Sequence, residues 1–242
     1  MRIVISSAPR SGNHWLKCLL AEIYRLEVLQ GGEKPATGKR DVRQLGGVPE
    51  MPDGTIFHQH RAYNREMVEA FLAMPAKLVT IVRDPYDVFY SYHRWVQEPA
   101  RMREGVAAVS DRHLGHPRAA LADRPLQDPS VLGYLETEFE KSLERSLRWS
   151  EDPDVLVVRY EDLHEDARGT LKRVTDGIQP VSLGRIDDAI ASCAIDTMRA
   201  ALPHTVKSGV VGGSRGKLGE EHLRIFRERH GDAIRALGYQ VR

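Results

Sequence analysis

The stretch Ser6-Ser7-Ala8-Pro9-Arg10-Ser11-Gly12-Asn13-His14-Trp15-Leu16 has the residue types of an anion cradle. A short apolar run, Ile3-Val4-Ile5, feeds a Pro/Gly turn, and a helical pattern begins at Asn13. Strand, tight turn and helix start together aim backbone N–H groups and a helix dipole at one point, which suits a phosphate. Gly12 lets the backbone approach closely, and Arg10 and Ser11 add donors. The first Gly and the Gly-Lys-Ser/Thr of the nucleotide-triphosphatase loop are missing, so any cradle here is of another design. An ordinary strand-to-helix turn with a stray arginine has the same local composition.

Two further stretches are competent for anions. Lys77-Leu78-Val79-Thr80-Ile81-Val82-Arg83 is a continuous apolar run of the type buried in a parallel sheet. Asp84-Pro85-Tyr86-Asp87 follows at once, with Asp84 as N-cap, Pro85 at the first helical position and Asp87 in the first turn. This fixes Arg83 at the carboxyl end of a strand, where α/β sheets bind ligands, and Ser91 in the next helix can share that crevice. A surface salt bridge to Asp84 or Asp87 is the plainer role for Arg83. Lys207-Ser208-Gly209-Val210-Val211-Gly212-Gly213-Ser214-Arg215-Gly216-Lys217 is basic and Gly-rich, able to wrap a phosphate or simply to flex at the surface.

His58 and His60, in the short run Thr55-Ile56-Phe57-His58-Gln59-His60-Arg61, fall on one face if that run is a strand. Such a pair can ligate a metal, though no third ligand is evident, or one can serve as a general base. The bland alternative is two satisfied or exposed histidines.

These residues need a frame. Apolar runs near 3–5, 55–61, 77–83 and 155–160 alternate with helical patterns, which predicts an α/β fold: a central parallel sheet flanked by helices in three layers. Helices are expected from Asn13 to about Val28, ended by Gly31-Gly32, and from Pro85 to about Glu98. Leu135, Phe139, Leu143 and Leu147, stepping by four, predict another. Others are expected near 118–122, 165–177, 183–192, 195–202 and 220–237. Residues 31–54 and 99–130 read as long irregular loops bordering a site.

The 242 residues suit one domain spanning 1–242, and 41% hydrophobic with 29% charged residues is a globular composition. A net charge of +1 argues against a nucleic-acid partner held by bulk electrostatics. Cys18 and Cys193 are the two cysteines. Cys18, beside Leu16, Leu19 and Leu20, reads as a core residue, and neither a disulfide nor a zinc scaffold is expected. With a strand starting almost at Met1 and no run of membrane-spanning length, the expected setting is a reducing cytoplasm.

Taken together, the chain resembles the cytosolic-type sulfotransferase family, which uses 3′-phosphoadenosine 5′-phosphosulfate (PAPS) on a P-loop-like nucleotide-binding fold. Pro9-Arg10-Ser11-Gly12-Asn13-His14-Trp15-Leu16 is similar to the family's loop for the 5′-phosphosulfate, with Arg10 for its Lys and Asn13-His14 for its two threonines. Trp15 falls where members stack an aromatic on adenine. Arg83, Asp84, Pro85, Asp87 and Ser91 match R-[ND]-P-x-D-x-x-x-S, whose Arg and Ser hold the 3′-phosphate. Arg159-Tyr160-Glu161-Asp162-Leu163 matches R-Y-E-D-L, which places Tyr160 near the adenine. Lys207, Ser208 and Gly209 open the counterpart of the loop that closes on the 3′-phosphate, with Arg215 as its trailing cation. Ala194-Ile195 stands where members have Ser-Phe.

His58-Gln59-His60 is the counterpart of the family's Lys-Thr-His, making His60 the general base and His58 the replacement for the lysine. The resemblance implies sulfuryl transfer from PAPS to a hydroxyl or amine of a small-molecule, glycan or lipid acceptor. Arg10, with His58 and Arg215, would stabilise charge on the transferring group, and no metal is expected. The rivals are an adenine-nucleotide-dependent kinase and a non-catalytic nucleotide binder of the same fold.

Overall fold

The computed structural model describes residues 1–29, 51–97, 121–201 and 209–242. Lys207 and Ser208, and most of the two long loops, lie outside the described residues. The order of elements is β1 (Arg2–Ser6), α1 (Asn13–Tyr24), β2 (Glu27–Val28), β3 (Thr55–Gln59), α2 (Arg65–Ala73), β4 (Ala76–Val82) and α3 (Pro85–Val96). Then come α4 (Pro129–Thr137), α5 (Glu140–Glu151), β5 (Val155–Arg159), α6 (Tyr160–Glu165), α7 (Ala167–Ile178), α8 (Leu183–Ser192), α9 (Ile195–Ala201) and α10 (Glu220–Ala236).

The strands form one parallel sheet in the order β2-β3-β1-β4-β5. Ser6 is in register with Gln59, and Val82 with Arg159, so the carboxyl ends of β1, β3, β4 and β5 share one edge. One face, carrying Ile3, Ile5, Val79 and Ile81, packs on α1, α7 and α8 through Leu16, Leu20, Leu171 and Ile186. The other, with Val4, Phe57, Leu78 and Val155, packs on Phe71 of α2 and Trp149 of α5. Alternate residues thus bury to opposite sides, the period-2 geometry of strands, and the result is the three-layer α/β arrangement expected.

The details depart from expectation in four places. Helix α1 stops at Tyr24, because Arg25 turns left-handed at φ 53° and the chain enters the edge strand β2. Helix α2 was not expected; Asn64 caps it by accepting from the amides of Glu66 and Met67. The run from Leu135 to Leu147 is broken between α4 and α5, Phe139 being buried at the junction.

Cys18 and Cys193 are not free core residues: they form a disulfide, with Cα atoms 6.0 Å apart across 175 residues of sequence. It ties α1 to the C-cap of α8. A cross-link over so long a loop adds about 2–5 kcal/mol where the setting is oxidising. Such bonds persist in oxidising compartments, and in a reducing one the same pair stands as two thiols. Among the described residues no helix is long and apolar enough to cross a membrane.

Candidate active site at the carboxyl edge of the sheet

The turn between β1 and α1 is held by its own residues. Asn13 is buried; its Oδ1 accepts from the Ser7 hydroxyl and its Nδ2 donates to the Ala8 carbonyl at 3.1 Å. Asn13 therefore frames the cradle with its side chain, and its place among the threonine positions does not free it to hold a ligand. The first helical bonds run from Trp15 N and Leu16 N to the Gly12 carbonyl, each 3.1 Å. The amides before them have no helical carbonyl behind them, the usual condition of a helix start.

Gly12 sits at φ 106°, and a Cβ there would come within 2.6 Å of Tyr160 Cδ2 and 3.2 Å of Ile81 Cδ1. Both the backbone angle and the ring beside it demand glycine. Ser11 is fully buried and its hydroxyl has no hydrogen-bond partner among the described residues. A polar atom left so inside a protein costs free energy unless a ligand or water satisfies it.

Arg83 leaves the end of β4 and bridges two loops. Its Nη1 donates to the Arg10 carbonyl at 3.2 Å and its Nη2 to the Val210 carbonyl at 2.9 Å. The guanidinium lies 4.3 Å from the centre of the Tyr160 ring and 3.7 Å from Asp87 Oδ2, while its Nε is buried with no partner among the described residues. Arg10 Nε donates to Ser91 Oγ at 3.2 Å, and the Arg10 guanidinium stands 5.9 Å from the Trp95 ring centre. Ser91 and Arg83 are thus linked through Arg10, whose Nε meets the one and whose carbonyl meets the other.

Asp87 does more than cap a helix dipole. Its buried carboxylate accepts from the Gly212 amide at 2.6 Å and from the Ser214 amide at 2.9 Å, pinning the Gly-rich loop to α3. The sequence gives Asp87 as a first-turn acid; its two-residue reach to Gly212 and Ser214 carries no sequence signal. Gly209, at φ 63°, packs against Ile195 so closely that a Cβ would lie 2.7 Å from Ile195 Cγ2. Arg215 is exposed, with its side chain folded over Gly212.

The histidines gather beyond β3. His60 Nδ1 lies 2.9 Å from the Ser7 carbonyl. A carbonyl only accepts, so this nitrogen carries a proton, and in the neutral ring the lone pair is on Nε2. The His58 ring is 5.3 Å from that of His60 and 4.6 Å from that of His14. Burial, and then the charges of His60, Lys17 and His14, push the pKa of His58 down to about 2. Its Nδ1 is buried without a partner. His58 is therefore a neutral imidazole and brings hydrogen bonding rather than the charge of the lysine it replaces. Lys17, one turn along α1 from His14, is itself depressed by burial; its part in this group was not foreseen.

Trp15, Tyr160 and His164 make an aromatic wall, with ring centres 6.0 Å apart for Trp15–Tyr160 and 6.5 Å for Trp15–His164. Burial raises the Tyr160 pKa and keeps it a neutral phenol.

The fold and this edge are those of a nucleotide-binding α/β protein, and comparison gives the family. A family model described as a sulfotransferase domain matches residues 1–209; the chain belongs to the sulfotransferase family. A flavonol sulfotransferase-like protein of Flaveria bidentis is 22% identical over 213 residues, 81% of this chain and 65% of that protein. The chain thus spans a little under two thirds of that relative's length. A mouse sulfotransferase crystallised with 3′-phosphoadenosine 5′-phosphate (PAP) superposes with a TM-score of 0.68 at 19% identity, over 97% of this chain and 84% of the other. Retinol dehydratase in complex with retinol and PAP gives 0.62 at 16% identity, over 100% and 82% of the two chains.

Proposed function

We propose that the chain, as one sulfotransferase domain over residues 1–242, moves the sulfuryl group of PAPS to a hydroxyl, or an amine, of an acceptor. The observation that carries this reading is the convergence on Arg83: one guanidinium bonded to both the 5′-side cradle and the 3′-side loop. PAPS has two anionic ends that need separate sites at a fixed spacing, and PAP bound in the structural neighbours supports that choice.

In this reading the first-turn amides of α1, Ser11 and His14 hold the 5′-phosphosulfate, while Arg83, Ser91 and the loop from Lys207, Ser208 and Gly209 hold the 3′-phosphate. Trp15 and Tyr160 flank the adenine. Arg10 exchanges Ser91 for the sulfuryl oxygens when the donor enters, and stabilises the charge that builds as the bridging bond breaks. His60 Nε2 takes the acceptor proton while Nδ1 stays fixed by Ser7. His58 donates a hydrogen bond, and Arg215 adds charge at the loop. Positioning supplies much of the remaining rate, as in phosphoryl transfer.

The acceptor we infer is a small molecule, glycan or lipid bearing a hydroxyl. A cytoplasmic location is part of the proposal, and a free-thiol count on protein from its native host tests it: two thiols support the cytoplasm, none contradicts it. A second reading rests on His58. With no charge at the lysine position, the protein could bind PAP and turn nothing over. The family assignment leaves the kinase alternative without support.

The experiment is release of PAP from PAPS across a panel of phenols, sterols, sugars and lipids. Acceptor-dependent PAP formation supports transfer. Tight PAP binding with no release on any acceptor supports the silent binder.

A further inference from the structure

We propose that Arg242 is a positioning residue for the nucleotide site: it latches the 209–217 loop to the start of α3 and so sets the place of that loop beside Arg83 for the 3′-phosphate. Its ligand rests on the PAPS reading above; its contacts do not. The Arg242 amide donates to the Tyr86 hydroxyl at 2.8 Å, and its guanidinium lies 4.4 Å from the centre of the fully buried Tyr86 ring. One Nη pairs with Asp84 Oδ2, and the other donates to Ser214 Oγ at 3.3 Å. A single side chain thus joins the residue that follows Arg83 to the loop whose Val210 carbonyl Arg83 holds.

The electrostatics give this contact its purpose. Three carboxylates crowd the root of Arg83: Asp84, Asp87 and Glu161. Glu161 accepts from the Asp84 amide at 2.9 Å and from the Tyr239 hydroxyl at 2.8 Å. Burial and the charges of Asp87 and Glu161 push the Asp84 carboxyl up, and Arg242 pulls it back. Arg242 thus balances the charge of Asp84, the residue next to Arg83, the cation a phosphate needs. Ser214 is buried and its amide already serves Asp87, so the Arg242–Ser214 bond completes the hold on the loop from its second side.

The segment that carries Arg242 is fastened independently. Arg159 Nη1 donates to the Leu237 carbonyl at 2.9 Å, and its guanidinium lies 4.2 Å from the Tyr239 ring centre. Removing the Arg242 side chain therefore opens the latch without releasing its anchor.

The test uses the full chain with Arg242→Ala, Arg242→Lys and Ser214→Ala. Amide hydrogen exchange of residues 209–217 is measured without nucleotide, and PAP and AMP are titrated by calorimetry. Arg242→Ala should speed exchange in that segment and weaken PAP about tenfold, with AMP, which lacks the 3′-phosphate, unchanged. Arg242→Lys should restore part of the PAP affinity by pairing Asp84. Ser214→Ala, which cuts the loop side alone, should speed exchange even if Arg242→Ala does not fold. Unchanged exchange, or equal losses of PAP and AMP, would overturn the proposal. Wild-type protein that binds PAP and AMP alike would overturn the PAPS reading, while faster exchange in Arg242→Ala would still support the latch.

Discussion

The cradle at 7–12 and the loop at 209–217 perform the same task by opposite means. The cradle is framed locally: Ser7, Ala8 and Asn13 bond one another and Gly12 accepts from Trp15 and Leu16, while Gln59, His60, Arg83 and Ser91 add bonds from the neighbouring strand ends and α3. The loop is held from afar, by Asp87 and Arg83 from α3 and β4 and by Arg242. A site made of neighbours survives wherever its own residues survive. A site made of distant partners depends on the whole frame, and it can be loosened without touching any residue that meets the ligand.

That contrast can be broken in several ways. The largest effect should come from His60, which hangs on the cradle through Ser7. His60→Ala should lower turnover about 10²–10⁴-fold and leave PAP affinity within twofold, read from PAP release and from titration. A loss confined to affinity would make His60 a binding residue only.

Gly12→Ala attacks the local cradle directly. Strain at φ 106° and the clash with Tyr160 should together cost about 2–4 kcal/mol, seen as a lower denaturant midpoint, with PAP binding lost. Asp87→Asn attacks the distant hold. It keeps the shape, but the new side chain accepts from only one of the two amides and turns its NH2 towards the other, a loss of about 1.5–3 kcal/mol. That cost should appear in the exchange of 209–217 and in PAP affinity more than in the global melt. If Gly12→Ala loosened 209–217 as much as Asp87→Asn does, the division into a local and a distant site would fail.

The smallest effect is a slope. His58 is depressed to about pKa 2 in the native state against about 6.5 when unfolded, so between those values the unfolded chain binds the extra proton. Stability should therefore fall as pH drops below 6.5, by up to about 1.4 kcal/mol per unit from this group, and above 6.5 the group should contribute nothing. His58→Gln should flatten that part of the curve. An unchanged slope would show that His58 is not the source of the acid sensitivity.

The same contrast governs what could be read from sequence. Strand–turn–helix at 3–16 and the Asp84-Pro85 start of α3 are encoded by near neighbours in sequence, and both were legible. So was the parallel sheet, because β1, β3, β4 and β5 are each built on an apolar run. The partners of Asp87 were not legible, since Gly212 and Ser214 meet it only through the fold. The Cys18–Cys193 bond was misjudged for the same reason: a separation of 175 residues carries no spacing pattern. Strand β2, two residues long, has no period to detect, whereas α2 had a usable signal in Asn64 followed by Met67, Val68 and Phe71. The depth at which His58 is buried, and its closeness to His14 and Lys17, could not be read from residue type alone.

The central claim is that one nucleotide with anions at both ends lies across the two loops, joined by Arg83. Calorimetric titration of the protein with PAP and with AMP, repeated on Arg83→Ala, tests it most directly. The account predicts PAP binding at least tenfold tighter than AMP, with that advantage gone in Arg83→Ala. Equal binding of PAP and AMP by the wild-type protein, or a PAP preference that survives the loss of Arg83, would contradict it.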